Sequence, residues 1–526
     1  MFAGFDRTGI TLPEIWASHA RNNPAKIALQ CGDEALSWSE FDVRTNELAN
    51  ALLADGVAKG DRVAVLVSSS INACVAMFGA VKSGAAMVPV SSMLAREQVR
   101  TVLADSQASH IICSADLKHL VEPIADHAPT LRRYIAIDFT GERWTSFTDF
   151  TTGARTDMPS VAFDGQDVFS VMYSSGTTGT PKGVVHAHDA RTYFCVSNAL
   201  EMGFGGDAIG LVTTALYTAG TWLVVMPTLF VGGTLHIQSR YDDERFAMAL
   251  TSERVTHTFA VPSQLRSLLS RDLLRASDFP QLRVLLSAGS PLRPDEKAEL
   301  IERIGDRFFE LYGFTEGGST LLKPSDQHRK PLSVGKPLMG QEALTINNED
   351  QPCAANQPGE VVTRGPGLLA YYLNQPEATA AALWRDANGR SFVRSGDIGR
   401  IDEEGFLHIV DRKKDMIISG GLNIYPADIE AVLAAHPDVA DICVIGVDHA
   451  RWGETPIALV VAAPQAAADA DMLLHWANER LAKHQRVQSV IFRDSLPRNA
   501  LGKVLKRELR DEYASIVASG EIAWKG

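Results

Sequence analysis

Positive charge is the scarcer sign in this chain. Its 526 residues hold 50 lysines and arginines against 63 aspartates and glutamates, a net charge of −13. The deficit argues against a nucleic-acid binder and gives no reason for contact with an anionic membrane. It also means that any polyphosphate site must be locally positive against an acidic background. Cysteine is sparse: there are six, Cys31, Cys74, Cys113, Cys195, Cys353 and Cys443, and no pair has CxxC spacing. Neither a zinc site nor a redox motif is suggested. The thiols read as free ones in a reducing compartment, so a cytoplasmic location is expected. The N-terminus, MFAGFDRTGI, carries Asp6 and no long apolar run, so no signal peptide is evident.

One stretch lacks charge altogether. Ala208 to Ser239 contains no Asp, Glu, Lys or Arg, and its length alone would allow a membrane span. Pro227, Gly220, Gly232, Gly233 and several threonines interrupt it. A buried helix over about Gly220–Phe230 and a buried strand over Gly233–Gln238 is the better reading. No membrane span is expected.

A chain of this length exceeds one core, so more than one domain is expected. Apolar strands alternate with helices through the first two-thirds: Val63–Val67, the helix Asn72–Ser83, then Ala86–Val90, Ile111–Ile112 and Tyr134–Ile137. That alternation predicts an α/β body built on parallel sheets. From Gly359 the texture turns to short β-rich pieces. Beyond the charged cluster Asp411–Asp415 an α+β rhythm resumes over about a hundred residues. The expected architecture is a large N-terminal body, residues 1–411, and a small mobile C-terminal α+β lid, residues 412–526, with the hinge near 411–415.

The chain is organised around Tyr173–Gly183, YSSGTTGTPKG. A run so small and polar is unsuited to a core. It fits a loop whose amides and hydroxyls wrap phosphate oxygens, with glycine allowing close backbone approach. Asp167–Tyr173 ahead of it reads as a buried strand, and His188–Met202 behind it as a helix. It is not a P-loop, because Lys182 is flanked by Pro181 and Gly183. A second glycine pattern is a false friend. Gly365–Ala370 fits GxGxxA with Asp386 downstream, but the region does not read as a βαβ unit, so no dinucleotide site is expected there. His186 and His188 form an HxH pair without a third ligand nearby and read as scaffold, not metal ligands.

SSGTTGTPKG resembles the phosphate-loop signature of the acyl-adenylate-forming enzymes, which comprise acyl- and aryl-CoA ligases, adenylation domains of peptide synthetases and beetle luciferases. Further motifs follow in the family's order, from about Leu36 to Arg507. The resemblance implies that Ser174, Ser175, Gly176, Thr177, Thr178, Gly179 and Lys182 bind the phosphates of ATP. It implies that Ala288, Gly289 and Ser290 line one side of adenine and that Tyr312 packs on the other. In Tyr312-Gly-Phe-Thr-Glu316, it gives Thr315 the α-phosphate and Glu316 the Mg²⁺ ion, for which one carboxylate plus phosphate oxygens suffices. Asp397 and Arg412 are implied to hold the ribose, and Lys414 takes the hinge position. Pro497–Lys503 matches the final motif, and Lys503 is the implied catalytic lysine: a compact cation able to touch carboxylate and phosphate as charge builds. Ser419, Gly420 and Gly421 are implied to line the pantetheine tunnel used by CoA.

The sequence departs from the family at Thr214–Gly220. Ala215 stands for a common Pro and Thr218 for a common His, so gating of the acyl pocket there is in doubt. The other wall positions named by resemblance are Ala219, Phe259, Leu311, Gly313, Gly318 and Ser319, with Gly318 and Ser319 suggesting room. The expected function is an ATP-dependent carboxylic acid–CoA ligase. It works through acyl-AMP with release of pyrophosphate, then forms the thioester, on an aromatic or alicyclic acid. The alternatives are a medium-chain fatty acyl-CoA ligase, a stand-alone enzyme loading a carrier protein, a luciferase-like oxygenase and a non-catalytic nucleotide-binding module. The state is expected to be monomer or homodimer.

Overall fold

The computed structural model describes residues 11–128, 130–174, 181–419, 422–449, 451–464, 466–499 and 502–519. It divides into two compact units. One comprises the described residues up to Ala343 together with Thr363–Val393. The other comprises Leu344–Val362 and the described residues from Arg394 onward. The chain passes between them within the strands Glu342–Ile346, Gly359–Arg364 and Ser391–Ile401. Asp411–Asp415 lies inside the second unit.

The first unit is built on two large sheets. In the eight-stranded one the spatial order is Tyr371–Tyr372, Lys182–Ala187, Val168–Ser174, Ala86–Pro89, Arg62–Leu66, His110–Cys113, Arg133–Ala136 and Thr145–Ser146. From Val168–Ser174 to the last strand the pairing is parallel. The apolar runs expected to be strands are strands, shifted by a residue at their ends. Their side chains are buried on both faces, as a parallel sheet covered by helices requires. Val88, Val99, Ile111, Val171 and Val185 share one core.

The nine-stranded sheet runs Lys336–Pro337, Ser319–Leu322, Phe308–Gly313, Val284–Ser287, His257–Phe259, Ile209–Val212, Thr234–Ile237, Ile27–Cys31 and Glu34–Ser37. The segments that carry His257, Val284 and Phe308 are parallel neighbours. Their C-terminal ends therefore share one edge, where ligands bind in open α/β sheets.

The charge-free stretch is interior to this unit. It forms the strand Ile209–Val212, the helix Ala219–Phe230 and the strand Thr234–Ile237. Most of its residues are buried. The helix has 12 residues, short of the roughly 20 a bilayer needs. Among the described residues no helix is long and apolar enough to cross a membrane.

In the second unit a five-stranded sheet has the order Leu422–Ile424, Ile417–Ser419, Gly453–Ala462 and Val439–His449, with Ser489–Phe492 on the Gly453 strand. The helices Pro426–Ala434 and Ala470–Arg480 bury Ile429, Leu433, Leu473 and Ala477 in the same core as Val444, Ala458, Val460 and Val490. This is the α+β pattern read from the sequence.

Candidate active site

Ser174 and Lys182 face each other across an antiparallel strand pair, with Tyr173 opposite Gly183. This corrects one expectation. The strand Val168–Ser174 returns as a second strand, Lys182–Ala187, before the helix His188–Met202 begins. The β-branched Val184 and Val185 favour a strand, and Gly183–Ala187 are buried on both faces. The described ends of the expected loop, Ser174 and Lys182, thus lie on two paired antiparallel strands. Ser175, Gly176, Thr177, Thr178 and Gly179 lie outside the described residues.

On the two strands Ser170 pairs with His186 and Met172 with Val184, so these four share one face. Arg191, on the following helix, donates from Nη2 to His186 Nδ1 at 3.0 Å. A guanidinium only donates, so Nδ1 accepts and the neutral ring carries its proton on Nε2. Burial, then the Arg191 charge, holds the His186 pKa well below its ordinary value. Arg191 is itself buried, with no carboxylate partner among the described residues, and is stacked 5.0 Å from the Trp222 ring. Burial lowers its pKa to about 10. His188 packs its ring against Phe163 and Phe169, and burial lowers its pKa to about 4. Both histidines are scaffold. Nothing in the sequence reading pointed to Arg191.

Three turns gather at the edge of the nine-stranded sheet. Phe259 ends the strand His257–Phe259 and is fully buried. Ala288, Gly289 and Ser290 follow the strand Val284–Ser287, and Gly289 has φ +94°. Leu311, Tyr312 and Gly313 end the strand Phe308–Gly313, and Thr315 and Glu316 form the turn to Ser319–Leu322. The tilted rings of Tyr312 and Phe314 are 6.4 Å apart.

The segment 363–373 packs onto this turn from the other sheet. Leu369 N–H donates to the Glu316 carbonyl at 2.7 Å. Tyr372 Oη donates to Glu316 Oε1 at 2.7 Å, and Lys182 Nζ lies 5.1 Å from the centre of the Tyr372 ring. Gly317 has φ +122°, and a Cβ there would lie 2.4 Å from the Gly367 carbonyl. A Cβ on Gly318 would lie 2.1 Å from Thr363 Oγ1. The missing side chain at Gly318 therefore leaves no spare room, because Thr363 fills that space. The GxGxxA lookalike at Gly365–Ala370 belongs to this packing. Asp386 pairs instead with Arg390 at 2.7 Å.

Thr218 is the N-cap of the helix Ala219–Phe230. Its hydroxyl lies 2.7 Å from that of Thr221 and donates to the Ala215 carbonyl at 3.0 Å. Thr221 in turn bonds Thr214 at 2.6 Å. The residue standing for a histidine is thus a buried helix cap, while Ala219 beside it is half-buried. Ser319 accepts at its carbonyl from Leu338 N–H at 3.3 Å and donates its N–H to Gln341 Oε1 at 2.8 Å.

The second unit holds its own cluster. Asp397 and Arg412 are partners across the strands Ser391–Ile401 and Leu407–Arg412, with Arg412 Nε 2.6 Å from Asp397 Oδ1. Asp397 is 3 % exposed, and its N–H donates to Ser395 Oγ at 3.0 Å. The chain then turns through Lys413 and Lys414, closed by Met416 N–H on the Arg412 carbonyl at 3.1 Å. Lys503 sits at the end of a tight turn: its N–H donates to Asn499 Oδ1 at 3.0 Å, and Gly502 has φ +74°. Burial, then the Arg412 charge, lowers the Lys503 pKa to about 8, against the pull of Asp397 and Asp415. Burial also lowers that of Lys414. Ser419 pairs with Leu422 and Gly453. Gly420 and Gly421 lie outside the described residues.

Turns at the ends of parallel strands in the first unit, and a buried carboxylate and a lysine of lowered pKa in the second, are features of a ligand-handling enzyme. Comparison with known proteins gives the same class. Residues 16–373 match the AMP-binding enzyme family and residues 428–503 its C-terminal domain. A feruloyl-CoA synthase of Amycolatopsis is 36% identical over 497 residues, covering 94% of this chain and 97% of that protein. A long-chain-fatty-acid–CoA ligase of Mycobacterium tuberculosis is 34% identical over 490 residues, covering 92% and 94%. The ATP-bound crystal structure of MatB from Rhodopseudomonas palustris superposes with TM-score 0.88 at 29% identity, covering 96% of this chain and 100% of that one. This chain belongs to the AMP-binding enzyme family, in its acyl-CoA ligase branch. It is an AMP-forming acid–thiol ligase whose substrates are ATP, CoA and a small carboxylic acid.

Proposed function

We propose that the acid is aromatic, activated as acyl-AMP and then passed to CoA. The observation that carries this reading is the 36% identity to a feruloyl-CoA synthase across 94% of the chain. A fatty acid is the second reading, favoured by the 34% identity to the mycobacterial ligase. Capping by Thr218 supports a pocket without a side-chain gate at that position. Thr363 beside Gly318 argues against extra depth there, so any ring would lie toward Ala219, Phe259 and Leu311.

The roles belong to the same proposal. The residues from Ser174 to Lys182 take the β- and γ-phosphates. Ala288–Ser290 and Tyr312 flank adenine. Thr315 meets the α-phosphate, and Asp397 accepts both ribose hydroxyls with Arg412 holding its carboxylate in place. Lys503 supplies the cation that offsets charge building on the α-phosphate as the acid attacks. Glu316 suits Mg²⁺: Oε2 makes no hydrogen bond among the described residues, and Mg²⁺ takes one or two carboxylates plus phosphate oxygens. Bound there, the ion would neutralise phosphate charge. Lys414, within 411–415, is the pivot that lets the residues 412–526 exchange Lys503 for Ser419–Gly421 between the half-reactions. A cytoplasmic location rests on six unpaired cysteines.

The test is pyrophosphate release from MgATP across aromatic, alicyclic and aliphatic acids, each with and without CoA. CoA-stimulated turnover on the aromatic set is the expected result. Turnover confined to aliphatic acids would sink the aromatic reading. Release indifferent to CoA would replace the thiol with a carrier protein as acceptor.

A further inference from the structure

Glu316 and Lys182 stand on different sheets, and one phenol joins them. Tyr372 lies on the short strand Tyr371–Tyr372, which pairs antiparallel with the Lys182 strand at the edge of the eight-stranded sheet. Its side chain is 7 % exposed. Its hydroxyl reaches Glu316 Oε1 at 2.7 Å, across 56 residues of sequence. Lys182 Nζ sits 5.1 Å from the ring centre. The backbone holds the ring's base, since Tyr372 N–H donates to Thr379 Oγ1 at 3.0 Å and Leu373 N–H to the Gly183 carbonyl at 2.8 Å.

The chemistry of this contact is specific. An ionised carboxylate only accepts, so the phenol must supply the proton. A neutral donor fixes one carboxylate oxygen without cancelling the negative charge. A cation in the same place would compete with a metal ion. The ring's negative face meanwhile attracts the Lys182 ammonium.

We propose that Tyr372 is a positioning residue: its hydroxyl orients Glu316 for the Mg²⁺ of MgATP, and its ring holds Lys182 for the phosphates. The inference rests on the nucleotide roles proposed above for Glu316 and Lys182. Tyr372→Phe removes the hydroxyl and keeps the ring. Tyr372→Leu removes both.

The test is calorimetric ATP binding to the whole protein and both variants, with Mg²⁺ and with EDTA. The phenylalanine variant is expected to bind metal-free ATP as the parent does. Its gain in affinity on adding Mg²⁺ falls about tenfold, the effect of losing one hydrogen bond to a charged group. The leucine variant loses a further factor of about three in metal-free ATP affinity, from the Lys182 contact. An equal Mg²⁺ gain in the parent and the phenylalanine variant overturns the proposal, as does a loss that appears only in melting temperature. A parent that binds no ATP would overturn the nucleotide reading itself, and this inference with it.

Discussion

The two units hold their key carboxylates by different physics. Glu316 is fixed by packing and a neutral donor. Its turn has no Cβ at Gly317 or Gly318, because Gly367 and Thr363 occupy that space, and its one side-chain partner among the described residues is a phenol. Asp397 is fixed by charge, buried against Arg412 at 2.6 Å. The first arrangement leaves a carboxylate with its charge intact. The second makes a pair whose cation also acts on Lys503. A metal-binding acid benefits from the first, and an acid that accepts hydrogen bonds from a neutral diol works well with the second. Breaking each one separately should give different signatures.

The largest effect is expected in the charge-held cluster. Lys503→Ala should lower the rate of acid-dependent pyrophosphate release by about 10³-fold, the scale of removing one charge-stabilising donor. Stability should not fall with it. The lowered pKa of Lys503 means that the folded state holds its charge at a disadvantage, and alanine relieves that. A melting temperature well below the parent's would show that the lysine is structural and would break the comparison.

The pH profile comes next. The Lys503 pKa is lowered to about 8 from the ordinary lysine value. In the role proposed for Lys503 the protonated form is the active one, so kcat/KM for ATP should fall tenfold per pH unit above about 8. The stability term has the opposite sign. Between about pH 8 and the ordinary value the unfolded chain binds the proton more tightly, so this group makes the native state more stable as pH rises. Lys503→Arg should remove the alkaline limb of the profile, because arginine stays charged there. A limb of the same position and slope in that variant would assign it to another group.

These contrasts were unevenly legible in the sequence. Strand positions could be read because buried parallel strands are runs of apolar residues, and the charge-free stretch resolved into helix and strand because Pro227 and its glycines limit its length. Asp397, Arg412 and Lys503 carried motif context. Tyr372 carried none. It lies far from both partners in sequence, and the adjoining Gly365–Ala370 drew attention only as a nucleotide-site lookalike. Arg191 was equally hidden, since a buried arginine reads as an ordinary surface residue on an amphipathic helix. Thr218 was visible as a departure, but its use as a helix cap depends on Thr214 and Thr221, which only the fold brings together. Gly318 was misread as space for the same reason: its occupant, Thr363, comes from a distant strand.

That misreading supplies the smallest and sharpest test of the packing-held side. A Cβ at residue 318 would sit 2.1 Å from Thr363 Oγ1 and 2.6 Å from Thr363 Cβ, a clash that rotating the threonine cannot clear. Gly318→Ala should therefore destabilise the protein by about 1–3 kcal/mol, the usual range for overpacking. It should also weaken MgATP binding, because the shifted turn carries Glu316. Thr363 is buried, and its hydroxyl has no hydrogen-bond partner among the described residues, so trimming it sacrifices no polar contact. Thr363→Ala combined with Gly318→Ala still leaves a Cβ at each position, so it should recover only part of the stability, whereas Thr363→Gly should recover more. Chemical denaturation of the four proteins measures this directly. If Gly318→Ala alone is as stable as the parent and accepts a bulkier acid, the space beside Gly318 is open to substrate, and the turn is held by the phenol rather than by packing.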